Sequence, residues 1–506
     1  MKKLWFRRVL YAVTILLVVF IGIFIWADNE LNKVLGKSTE VITISSIVKP
    51  SKIIQIKNAN VLSEDCTYFL KNQDLIIKNG KIISLGQNQL MDSTSIIIDG
   101  TNKYLIPGLI DSHVHLKESQ NDLFLYLANG VTYVREMAGR PIVLEWRKSI
   151  QKNGIGPRMF IASPPIYNES GLKGYYYRWT RQSINYSTKT DAKKEIKRIK
   201  EQGYDAVKMY GFVTPEMFKT TIEIAMENNI PVIGHIPLVK LKTFYHSGQK
   251  EIAHIEEITV KNMEDFGKSI SKNPKEYINF LKVHSDEIAK KLKENNICVT
   301  STIALIESLP KQRFALESKL KEIELKYANP KIIEGTPLYK LGWLTGKNGY
   351  EYDGEDEPEA KKKSLAFWKT YVEAIHIMTK ALVDNKVPIM AGTDANVVTM
   401  VPGFSLHDEL ESLSKSGMTN SQVLYSATVA PSNWMNSNTG KIKIGCNSDL
   451  VLLTKNPLED IKNTKTIEYV FFDKYMIGKT QISTTLKAIE KANNENRNIK
   501  INEYIK

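Results

Sequence analysis

From Leu105 onward the chain alternates short apolar, β-branched runs with longer stretches of helical periodicity, and no other feature constrains its fold as much. The candidate strands are LIPGLIDSHVH (from Leu105), VTYVREM (from Val131), PRMFIAS (from Pro157), DAVKMYG (from Asp205), IPVIGHI (from Ile230), EIAHIEE (from Glu251), ICVTSTI (from Ile297) and VPIMAGTDA (from Val387). Strands that alternate with helices pair in parallel, because each helix carries the chain back to the same edge of the sheet. Eight such units predict an α/β fold, a (β/α)8 TIM barrel over 107–435, with its chemistry at the C-terminal ends of the strands.

Polar residues gather at those ends. His113 and His115 close the first run, and residues two apart on a strand share a face. Lys208 lies in the fourth run, His235 ends the fifth, His254 the sixth and Asp394 the eighth. Taken singly, each has an ordinary role: a hydrogen-bonded core histidine, a snorkelling lysine, or a helix N-cap before ANVV. Six ordinary roles falling in register at strand ends would be a strong coincidence, whereas neutral imidazole and carboxylate are ligands for a divalent metal such as zinc. His246, His284 and His376 fall in helical stretches and read as surface or packing residues. His407, in VPGFSLHDELESL, reads as a surface histidine near a helix start.

The N-terminus has a different pattern. Val9 to Trp26 is free of charge, follows Lys2, Lys3, Arg7 and Arg8, and gives way to ADNE. Such a run can just span a bilayer, and its basic flank belongs on the cytoplasmic side. A cleaved signal peptide is the alternative, but it would have a shorter apolar core and small residues at its exit, where this chain has FIWADNE. The expected topology is a single-pass membrane protein: a cytoplasmic basic tail at 1–8, an anchor at 9–26, a polar tether at 27–50 and an extracytoplasmic catalytic body.

The formal charge of +14 falls to +10 without those four N-terminal cations. The remaining lysines are spread over helical stretches such as DAKKEIKRIKEQG, as on solvated helix faces, so no nucleic-acid partner is expected. Cys66, Cys298 and Cys446 are odd in number and far apart, which implies no disulfide framework. Short β-branched runs at SKIIQIKNANVL, DLIIKNGKIISLG and STSIIIDG, with a hairpin signal at Asn79-Gly80, predict a small β-domain before the alternation begins.

LIPGLIDSHVHL, AVKMYG, GHI, AHIEE, AGTDA and GKIKIGCNSDLVLLTKNPLEDI occur in this order between Ile53 and Lys479. Together they resemble the amidohydrolase superfamily, in its imidazolonepropionase-like and prolidase-like branch. The resemblance implies that KIKIGC, SDLVLLTK and IEYVFFDKYMIGK return to complete the β-domain, giving a β-sandwich composed of 51–106 and 436–482, with a helical or loose tail at 483–506. It further implies that His113, His115 and Asp394 hold one divalent metal and that His235 and His254 hold a second. Lys208 would bridge the two as a carbamate formed with carbon dioxide. In such a site a metal-bridging hydroxide attacks the substrate, with Lys208 and Asp394 as the catalytic residues and Asp394 as the proton shuttle.

Substrate selection is expected from loops, two of which are long: Tyr167 to Thr190, containing GLKGYYYRWTRQ, and Thr336 to Lys363. Arg178 and Arg181 offer guanidinium groups suited to a carboxylate. Tyr210, two residues beyond Lys208, is expected to touch the substrate. These features suggest a membrane-anchored hydrolase of a small-molecule or dipeptide amide, or of a cyclic amide, compatible with a homo-oligomer. A lactonase or phosphotriesterase and an inactive scaffold on the same fold are the alternatives.

Overall fold

A computed structural model of the chain describes all residues except 1, 38, 45–52, 90–94, 153, 339, 353–357 and 506. All eight predicted runs form strands: β1 (Leu109–Val114), β2 (Val131–Glu136), β3 (Arg158–Ile161), β4 (Val207–Met209), β5 (Val232–Gly234), β6 (Glu251–Ala253), β7 (Cys298–Thr300) and β8 (Ile389–Met390). β1, β2 and β3 pair in parallel, and β4 to β8 form a second parallel series. Single parallel bridges, Ala162 to Ala206 and Val114 to Ala395, connect the two series at either end. The result is an α/β fold in which these strands all end on one side. Strands buried on both faces read as continuous apolar runs, and Val207, Lys208 and Met209 are all buried.

The first run is two strands, not one. Tyr104–Pro107 pairs with Ile53–Leu62 and Leu450–Leu453, whereas Leu109–Val114 joins β2. Gly108 is the pivot between them: a Cβ there would lie 2.0 Å from Thr132 Oγ1. The outer sheet draws its eight strands from both ends of the chain, in the order Tyr475–Gly478, Ile467–Phe472, Leu450–Leu453, Tyr104–Pro107, Ile53–Leu62, Phe69–Lys78 and Lys81–Gly86, with Ile96–Asp99 also paired to Ile53–Leu62. Where a sandwich is expected, the described strands pair along one continuous sheet. Ile54, Ile56, Leu75, Ile82, Leu450 and Phe471 share its core.

The N-terminus departs from expectation, whereas the C-terminal tail takes the helical one of its two expected forms. The apolar run lies within a longer helix, α1 (Lys2–Lys33), which is exposed from Leu4 to Trp26 and has a mean hydropathy of 2.8 in its most apolar window. By length and composition alone α1 could serve as a membrane span or as a signal sequence. The polar tether at 27–50 is corrected over its described part, because Ala27, Leu31, Val34 and Ile44 are buried against the body. Ile42 N donates to Asn121 Oδ1, and Asn121 Nδ2 donates to Glu40 O. The rest of the tether, 45–50, lies outside the described residues. The C-terminal tail is helical over Lys479–Asn496 and docked, with Ile489 and Ala492 buried and Asn493 Nδ2 donating to the carbonyls of Lys326, Tyr327 and Ala328.

Candidate metal centre

β1 delivers His113 from its last turn of pleat, and His115 follows just beyond the strand. Asp394 N donates to His113 O at 2.8 Å, which staples the segment after β8 to the end of β1. Asp394 Oδ1 consequently lies 2.9 Å from His115 Nε2 and 3.5 Å from His113 Nε2. One ligand atom from each of these three residues fits within 4.8 Å of the others, a group that could hold a metal ion. The His254 ring lies 4.4 Å from that of His113, centroid to centroid, and the His235 ring 5.1 Å from that of His254. Lys208 is buried in β4. Among the described residues its Nζ has no hydrogen-bond partner, nor does either ring nitrogen of His113. A buried polar atom left unpaired costs roughly 1–3 kcal/mol, so several together are explained best by a bound group that completes them.

A second layer of residues, not singled out from the sequence, orients the first. His235 Nδ1 donates to Glu257 Oε1 at 2.8 Å, which leaves Nε2 with its lone pair. His254 Nδ1 lies 2.8 Å from Thr302 Oγ1. Asp111 accepts from His113 N, Thr393 N and Thr393 Oγ1, and so fixes both metal-facing segments. A signal for these residues was present: Asp111 precedes His113 by two, and Glu257 and Thr393 lie inside the AHIEE and AGTDA motifs. His254, Thr302 and Asp394 adopt φ values of 74°, 56° and 59°, a left-handed backbone that costs non-glycine residues energy and clusters at functional sites.

Electrostatics follow from burial. Loss of water pushes His254 down to about 3, which leaves its imidazole neutral and able to bind a metal, and pushes Lys208 down to about 8, which enlarges the neutral fraction of its amine near neutral pH. Burial alone would raise Asp394, but the His115 ring nitrogen 2.9 Å from its Oδ1 and the positive charge of Lys208 hold its carboxyl well below the usual range. Burial lifts Asp111 to about 7 against its three hydrogen bonds.

Tyr210 stacks on Tyr167 at 4.8 Å and its ring lies 4.4 Å from that of His235, at the edge of the cluster. Arg181 approaches through Tyr167, donating to its hydroxyl at 3.3 Å. Arg178, on the same helix α2 (Gly171–Arg181), donates to Asn185 O and lies over the Tyr175 ring, so its contacts are with its own loop and not with the histidines. His407 corrects the surface reading. It is buried, with Nδ1 2.9 Å from Thr464 Oγ1, and burial pushes its imidazole down to about 3. His376 and His284 serve as packing residues, contacting Ser416 Oγ and Phe280 O.

Comparison with known proteins places this geometry. A family model described as the amidohydrolase family matches residues 104–474. An adenine deaminase from Clostridium perfringens is 29% identical over 218 residues, 37% of this chain and 33% of that protein, so the chain spans about a third of that relative's length. Among solved structures, bottromycin amidohydrolase superposes with a TM-score of 0.67 at 17% identity, covering 91% of this chain and 96% of that one. A prolidase complexed with N-methylphosphonate-L-proline gives 0.61 at 16% identity, covering 84% and 100%. With the family model spanning most of its length and these folds superposing on it, the chain belongs to the amidohydrolase family of enzymes.

Proposed function

We propose that the chain is a membrane-anchored, metal-dependent hydrolase of a carbon–nitrogen bond, acting on a dipeptide, an amide or a cyclic amide. In this reading β1 to β8 close into a (β/α)8 barrel, and the outer sheet curls into the β-sandwich of a composite domain. His113, His115 and Asp394 hold one divalent ion, His235 and His254 a second, and Lys208 links them; zinc suits this donor set. The observation that carries the reading is the buried Lys208 Nζ without a partner beside four imidazoles and a carboxylate. When bound, the metals supply Lewis acidity and a nucleophile available near neutral pH.

The chain's own residues do the rest. The neutral fraction of the Lys208 amine, enlarged by burial, would attack carbon dioxide and lose a proton, and the resulting anionic carbamate would offset the repulsion between two bound cations. Asp394 takes the proton of the attacking water and passes it to the leaving nitrogen. Tyr210 forms the wall beside His235, and Arg181, behind Tyr167, offers positive charge to a substrate carboxylate. The membrane part of the reading rests on α1, with the basic flank cytoplasmic and the body outside.

The test is metal analysis and turnover of Lys208→Ala against dipeptide, N-acyl amino acid, lactone and phosphotriester libraries. The variant is expected to lose metal and rate together, to ignore added bicarbonate, and to recover part of its rate with acetate or propionate. Two ions per chain with unchanged turnover would overturn the bridge. A metal-loaded parent enzyme that turns over only lactones or phosphotriesters would replace the C–N reading with an ester one.

A further inference from the structure

The end of α1 is fixed to the side of the molecule where the strands end. Phe24 stacks on Trp179 of α2 at 4.9 Å, and Trp179 Nε1 donates to Asp28 Oδ1 at 2.9 Å. Further on, Glu118 N, three residues beyond His115, donates to Leu35 O at 2.8 Å. Asn329 Nδ2 donates to Gly36 O at 3.2 Å, and Thr39 Oγ1 donates to Asn329 Oδ1 at 2.9 Å. The exposed stretch Leu4–Trp26 is about 34 Å long at 1.5 Å per residue, enough for the roughly 30 Å hydrocarbon core of a bilayer. A bilayer boundary at Trp26 puts Trp179, the ring partner of Phe24, at that boundary too.

Around this point the body exposes large apolar side chains. Leu172 and Tyr175 on α2 are 89% and 69% exposed, Phe212 65% and Leu238 52%. The segment before α2 adjoins the loop that carries Phe212, through Thr214 Oγ1 donating to Asn168 Oδ1, and that loop adjoins the one that carries Leu238, whose N donates to Val213 O; the Phe212 ring in turn lies 6.0 Å from that of Tyr210. Exposed apolar and aromatic side chains beside a lysine, here Lys173, suit the layer between acyl chains and headgroups.

We propose that this rim, Leu172, Tyr175, Phe212 and Leu238, inserts into the interfacial layer of the bilayer that α1 crosses, so that the mouth of the metal centre faces lipid. This rests on α1 being a retained membrane span. The bilayer is the occupant because the rim is continuous with a helix whose own outlet lies in it. Substrate then reaches the mouth from the membrane interface.

The experiment uses the full chain with Cys446→Ser, since Cys66 and Cys298 are buried. Leu172→Cys, Phe212→Cys and Leu238→Cys are each labelled with an environment-sensitive fluorophore and reconstituted in phosphatidylcholine/phosphatidylglycerol vesicles with and without doxyl lipids. Ile15→Cys in α1 and Val283→Cys on the helix Pro274–Glu294 serve as references. Rim labels are expected to shift to the blue and to lose intensity to doxyl lipid as Ile15 does, with Val283 unaffected. Quenching at Ile15 alone overturns the rim proposal and leaves the membrane span standing. Blue-shifted rim labels that doxyl lipid does not quench are buried against protein, which also overturns it. No quenching at Ile15 removes the membrane span itself.

Discussion

Two charged clusters are buried among the same eight strands, and they are built on opposite terms. Arg135 of β2 and Glu251 of β6 are fully buried and paired through both guanidinium amines. Thr300 Oγ1 donates to the same carboxylate at 2.5 Å, and the Trp434 ring lies 4.5 Å from the guanidinium carbon. At the strand ends, His113 and Lys208 have buried nitrogens without partners, and His254 and Asp394 have strained backbones. In the first cluster opposite charges meet within the chain and both Glu251 oxygens are paired, leaving Arg135 Nε alone without a partner among the described residues. In the second, the imidazoles and the amine converge with their ligand atoms unpaired, as a site awaiting a bound group would. That difference separates a structural ion pair from a site more clearly than burial or charge does, since both clusters are buried and charged.

The largest effect should come from breaking the internally paired cluster. Glu251→Ala leaves Arg135 charged and unpaired, and should lower the unfolding free energy by about 3–5 kcal/mol in denaturant titration. A loss under 1 kcal/mol would erase the contrast. Asp394→Asn should do the reverse, with thermal stability near that of the parent while kcat falls by about 100-fold or more, about 2.7 kcal/mol in the barrier.

Lys208 sharpens the comparison through pH. Burial lowers its folded value to about 8 from 10.5, so the unfolded chain binds more protons between those values. Stability of the metal-stripped protein should therefore rise as pH goes from about 8 to 10.5, and Lys208→Met should remove that rise while stabilising the protein at pH 7 by on the order of 2 kcal/mol. A parent whose stability is flat over this window would mean Lys208 is not strained by burial. The smallest effect is expected at His407→Ala, which should keep its metal and lose about 1–2 kcal/mol of stability with its bond to Thr464. Loss of a metal ion would make His407 a ligand.

The parallel strands and the strand-end cluster were legible because period-two spacing and strand-helix alternation are local patterns. His113 and His115 declare themselves from one segment. Asp394 could be placed only by assuming that β8 returns beside β1, which the bond from Asp394 N to His113 O realises. Glu257, Thr302 and Asp111 were missed because an orienting hydrogen bond leaves no periodic trace. His407 was misread for a related reason: the helix Phe404–Lys415 is covered by Ile461–Lys465, and no pattern near His407 reports a neighbour 57 residues away. The stem at 27–44 read as a tether because its composition is polar, yet its few apolar residues are the ones that dock.

That docked stem changes what proteolysis can do. A single cut between Ile44 and Ile53 would sever α1 from the enzyme covalently, but Leu31, Val34 and Ile44 would stay buried and Thr39 and Asn121 would keep their bonds to either side of the cut. If α1 is the membrane span proposed above, the nicked protein should sediment with membranes as a two-fragment complex, and its release would require the fragment to dissociate first.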